Sequence, residues 1–270
     1  MFNHLIAKTM KIFGYSERGA MNALFYGMAL DEKKGEKSMT AFIKLAKVEG
    51  DFTDFELYNE FSLSEFGDPD FMIKAKNKEG KDVVFFIEAK ASCCKTYNLK
   101  SQNDHHENYM NGGNRYENGH SSNLFFQLRL KHYFFEMLPF FGKPEELETE
   151  QNAFFTKEQN GFTKYGEYLN RFKYGRKGNR KIGKNEIVNK VVKELQKCKE
   201  AYYIAIIPKQ DSKACLDALD TEKEYGFITY AITWEEICNS EFGDYIKDTI
   251  VFNQNKNNKG IIVNQILNNV

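Results

Sequence analysis

The spacing of apolar residues changes several times along the chain, and each change marks an element. Residues 16 to 30, SERGAMNALFYGMAL, put Met21, Leu24, Phe25 and Met28 on one helical face, with Ser16 placed to cap it. Residues 38 to 48 repeat that spacing with Phe42, Ile43, Leu45 and Ala46, and Ser38 is the expected cap. Beyond residue 50 the period drops to two. Phe55, Leu57 and Phe61 alternate with polar residues, and Phe71, Ile73 and the run Val83 to Ile87 are dense in strand formers. NKEG at 77 to 80 supplies a turn, with Gly80 free to take positive φ, so three antiparallel strands are predicted. Residues 95 to 123 have no apolar period and are rich in Asn, Gly, Ser and His. They read as a long loop in which His105, His106 and His120 are solvated.

Helical spacing returns at 123 to 138, ending at Pro139, and at 185 to 199. AYYIAIIP (201 to 208) reads as a buried strand, 211 to 220 as a short helix, 227 to 234 as another strand and EEICNS as a helical turn. This order predicts a single α/β domain, a central mixed β-sheet flanked by helices, with the loop 95–123 and an insertion at 140–184.

Composition narrows the class. At 270 residues and 41% apolar the chain can bury a substantial core, and its 38 basic residues balance its 38 acidic ones, so any argument from charge is local. No stretch approaches the ~18 apolar residues of a membrane span, and the opening residues lack a signal-peptide run. A cytoplasmic protein without a membrane partner is expected. The five cysteines show neither CxxC nor Cys/His ligand spacing, which favours reduced thiols.

The stretch GDPDFMIKAKNKEGKDVVFFIEAK, residues 67 to 90, sets Asp68, Asp70, Glu88 and Lys90 among the β-branched and aromatic residues of two strands. Side chains alternate along a strand, so Glu88 and Lys90 share one face, as do Asp68 and Asp70. Pairing across the turn sets the start of one strand beside the end of the next. With strands about 4.8 Å apart, Asp70 and Glu88 can converge on one hard cation such as Mg²⁺, with Asp68 an alternative ligand. Lys90 beside that cation can orient or deprotonate a water, or stabilise charge on a phosphate. The chemistry that joins these groups is metal-assisted attack of water on a phosphodiester.

Pro69-Asp70, followed by Glu88-Ala89-Lys90 at the end of the next strand and then by a helix and a strand, resembles the PD-(D/E)XK nuclease superfamily. The resemblance implies a restriction-endonuclease-like core over residues 16 to 138 and 201 to 208. It implies Asp70 and Glu88 as metal ligands, the Ala89 carbonyl as a further ligand, Lys90 as the catalytic lysine and Mg²⁺ or Mn²⁺ as cofactor. It also implies a glutamate from the first core helix, where Glu17 stands, and a glutamine from the helix after the strand, where Gln127 stands. Glu56 and Glu60 are alternatives to Glu17.

NRFKYGRKGNRKIGKNE, residues 170 to 186, interleaves Phe172 and Tyr174 with basic residues and three glycines. Lys173, Arg176, Lys177, Arg180 and Lys181 are the expected contacts to nucleic-acid phosphates. The expected function is a metal-dependent nuclease acting on DNA, with a homodimer as the form that would cut both strands of a duplex. A non-catalytic nucleic-acid-binding or assembly module on the same fold is the alternative.

Overall fold

The computed structural model describes residues 16–31, 34–59, 61–63, 66–91, 99–110, 123–140, 186–209, 227–249 and 251. The short helix expected at 211–220, the insertion beyond residue 140 and all five expected phosphate contacts lie outside these residues.

Five strands form one sheet in the order β1 (Phe52–Asn59), β2 (Phe71–Asn77), β3 (Asp82–Ala89), β4 (Glu200–Ile207) and β5 (Thr229–Thr233). The first three pair antiparallel, whereas β3–β4 and β4–β5 are parallel, so the sheet is mixed as expected. The turn after β2 is closed by Gly80, whose φ of +74° is in the left-handed region open to glycine.

Alternation along the strands sorts the core into two layers. Phe71, Ile73, Val83, Phe85, Ile87, Ile204, Ile206 and Ile232 pack against α1 (Glu17–Ala29) and α2 (Gly35–Leu45), and α6 (Trp234–Cys238) and α7 (Gly243–Ile246) join that layer. Met72, Val84, Phe86, Tyr203, Ala205 and Ile207 face the other way, onto α4 (Leu124–Met137) and α5 (Glu186–Leu195). Glu88 continues the row Val84, Phe86 and therefore falls on the α4 side.

Ser16 caps α1, its Oγ accepting the Gly19 N–H at 3.1 Å. The start of α2 departs from expectation: it begins at Gly35, and Ser38 lies inside the helix, buried. Glu36 occupies the first turn, where a carboxylate suits the helix dipole. It also accepts the Asp54 N–H at 2.8 Å, tying the helix start to β1.

The expected loop 95–123 is corrected as well, because Leu99–Met110 forms the helix α3. Its inward face is Leu99, Gln102 and His106, a helical spacing built mostly from polar residues, so a search for apolar periodicity passes over it. Lys100–Asp104 and Asn103–Glu107 add side-chain pairs four residues apart. His106 is consequently buried, and its Nε2 accepts a hydrogen bond from Arg129 Nε at 2.9 Å.

Phe71, the residue after Asp70, stacks on Phe25 of α1 with ring centroids 4.2 Å apart. Removing that ring leaves a cavity between α1 and the sheet. Phe71→Ala is expected to cost about 3–5 kcal/mol of unfolding free energy, measured by urea denaturation.

Candidate active site

The register of β2 and β3 pairs Phe71 with Ile87, so Asp70 stands opposite Glu88 one step further on. Asp70 Oδ2 accepts the Ala89 N–H at 2.8 Å, which fixes its carboxylate at the end of β3. Asp68, the alternative ligand, is half-buried in the segment leading to β2.

Lys90 is held from several sides at once. Its N–H donates to the Ile206 carbonyl at 2.8 Å, continuing the parallel pairing with β4, and its own carbonyl accepts the Trp234 indole N–H at 3.0 Å. Its Nζ donates to Gln127 Oε1 of α4 at 2.9 Å and lies 3.7 Å from Glu17 Oε1. The glutamine and the helix-one glutamate therefore both reach the lysine.

Glu17, in the first turn of α1, also uses Oε2 to accept the Ala91 N–H at 2.6 Å. Burial raises its carboxyl above the usual range; Lys90 opposes the rise, the Asp70 carboxylate adds to it and the Ala91 N–H opposes it. Glu56 is committed elsewhere, to Lys74 at 3.3 Å and to the Tyr58 hydroxyl at 2.6 Å. Glu60 lies outside the described residues.

Glu88 and Lys131 are both fully buried, and Lys131 Nζ of α4 lies 2.8 Å from Glu88 Oε1. At that separation the two meet as a charged pair through Oε1, while Oε2 accepts no hydrogen bond. Burial, which outweighs the pull of Lys131, pushes the Glu88 carboxyl up to about 7, with Asp70 adding in the same direction and Lys90 opposing.

Two residues here escape the reading of the sequence. Lys131 is signalled only by a lysine inside LFFQLRLKHYFF, four residues after Gln127 on a helix that also buries Arg129 and His132. Trp234, the single tryptophan of the chain, reads as the end of a strand but is the first residue of α6, fully buried beneath Lys90.

Asp70 and Glu88 supply hard oxygen donors, with Glu88 Oε1 taken up by Lys131 and Oε2 accepting no hydrogen bond. Among the described residues no three His, Cys, Asp or Glu side chains converge as a cage for an ion.

Comparisons with protein-family models, with curated proteins and with solved structures find nothing similar. Among the described residues no helix is long and apolar enough to cross a membrane.

The Glu88 shift fixes the sign of a pH effect. A carboxyl raised on folding, from 4.5 to about 7, binds its proton more tightly in the folded chain, so its contribution to stability is full below 4.5. That contribution is lost as pH climbs towards 7 and is gone above it. Urea unfolding at a series of pH values is expected to show this loss in the parent, whereas the neutral pair Glu88→Gln with Lys131→Met lacks it.

Proposed function

We propose that the chain is a Mg²⁺- or Mn²⁺-dependent nuclease with a restriction-endonuclease-like core, hydrolysing phosphodiester bonds in DNA. The observation that carries the reading is the juxtaposition of Asp70 and Glu88 across the β2–β3 pair, with Lys90 two residues further along the same strand end. The element order supports it: helices α1 and α2, an antiparallel meander, helices α3 to α5 with α4 packed on the sheet, and a strand parallel to β3.

In this reading Asp70, Glu88 and the Ala89 carbonyl would hold the ion. A bound Mg²⁺ would neutralise charge on the phosphate and supply a water of lowered pKa. Lys90 Nζ, fixed by Gln127, directs an N–H towards the attacking water or a phosphate oxygen. Glu17 acts on the lysine rather than on the ion, since its oxygens go to Lys90 and to the Ala91 N–H. The water oxygen bonds to phosphorus as the bond to the leaving oxygen breaks, the water's proton passing to surrounding solvent and the leaving oxygen taking up a proton from it. DNA as substrate, and a homodimer for paired cuts, rest on the basic residues Lys173, Arg176, Lys177, Arg180 and Lys181 and on the resemblance.

The buried Glu88–Lys131 pair favours a second reading, a non-catalytic nucleic-acid-binding or assembly module in which the ammonium takes the cation's part. Calorimetry separates the two: DNA affinity without Mn²⁺ or Mg²⁺ binding supports the module.

Purified protein given plasmid, linear and single-stranded DNA with Mg²⁺ or Mn²⁺ is expected to cleave, and EDTA to stop it. Lys90→Ala and Asp70→Asn are expected to slow cleavage by about a hundredfold or more. Circular dichroism checks that both remain folded. Undiminished cleavage by both variants sinks the assignment.

A further inference from the structure

The faces of α4 and β3 match residue for residue. Glu88 and Lys90, two apart on the strand, share a face. Gln127 and Lys131, four apart on the helix, share another. Gln127 meets Lys90 at 2.9 Å and Lys131 meets Glu88 at 2.8 Å, so one helical turn holds both ends of the Glu-Ala-Lys segment.

Lys131 is also confined from behind. A Cβ built on Gly67, whose φ is +79°, would come 3.2 Å from Lys131 Nζ. The ammonium thus sits between the segment that leads to Asp70 and the strand end that carries Glu88.

We infer that Lys131 is a positioning residue for the ion site: it fixes Glu88 through Oε1 and leaves Oε2 as the oxygen that takes a divalent cation. The assignment rests on the nuclease reading of the same site. A buried ion pair with a purely structural part would stabilise the fold without shifting metal affinity, and this difference makes the two separable. Outer partners that orient a metal ligand commonly contribute ten- to a hundredfold in affinity.

The test is Mn²⁺ binding to the full chain, followed by electron paramagnetic resonance, for the parent and for Lys131→Met, with thermal unfolding alongside. Lys131→Met that remains folded is expected to bind Mn²⁺ at least about tenfold more weakly. Parent-like Mn²⁺ affinity in folded Lys131→Met overturns the assignment and leaves the nuclease reading standing. If Lys131→Met does not fold, anomalous density in crystals of the parent grown with Mn²⁺ decides. An ion on Glu88 Oε2, with Lys131 still on Oε1, supports the assignment, and an ion on Oε1 with Lys131 displaced overturns it. A parent that takes up no Mn²⁺ overturns the nuclease reading and this assignment together.

Discussion

Taking a carboxyl group out of water is costly unless a cation goes with it, and at Glu88 that cation is Lys131. Both groups are sealed between the sheet and α4, so the helix can pack only where the ammonium meets the strand end. The residues around the pair follow from this. Gly67 has no side chain to press on Lys131, and the neighbouring turn of α4 carries Gln127 to Lys90. Loss of one partner would strand a buried charge, at a cost of about 3–5 kcal/mol. The contact therefore constrains the fold as well as the site.

Lys90 is where the two helical layers meet. Gln127 approaches it from the α4 layer, and Glu17 and Trp234 approach from the layer of α1 and α6. Its backbone N–H continues the parallel ladder to β4. An ammonium held by an amide oxygen, beside carboxylates at the ends of two strands, is preorganised: little reorientation is needed for it to meet a charged ligand.

The antiparallel meander was legible from its period of two, and the capped first helix from Ser16 and the apolar face behind it. Asp70, Glu88 and Lys90 were legible because charged residues interrupt otherwise apolar strands. Elsewhere the signals were weaker. Helix α3 buries Gln102 and His106, so its inward face does not register as apolar. Ser38 resembles a cap, yet the helix begins earlier, where Glu36 bonds to the Asp54 N–H. Lys131 shows why local pattern has limits: its partner lies on a strand across the core, and a lysine among apolar residues does not say which carboxylate it meets.

The parallel neighbour of β3 is β4, which the chain reaches only after the whole of α3, α4 and α5. The indole that bonds the Lys90 carbonyl is 144 residues further along. Closing so long a loop costs entropy before the contact can form, which makes this pairing a late event in folding. A chain still emerging from the ribosome can form the meander, but it has neither Ile206 nor Trp234 to anchor the lysine. Whatever chemistry these strand ends perform is therefore withheld until the chain has been made as far as Trp234.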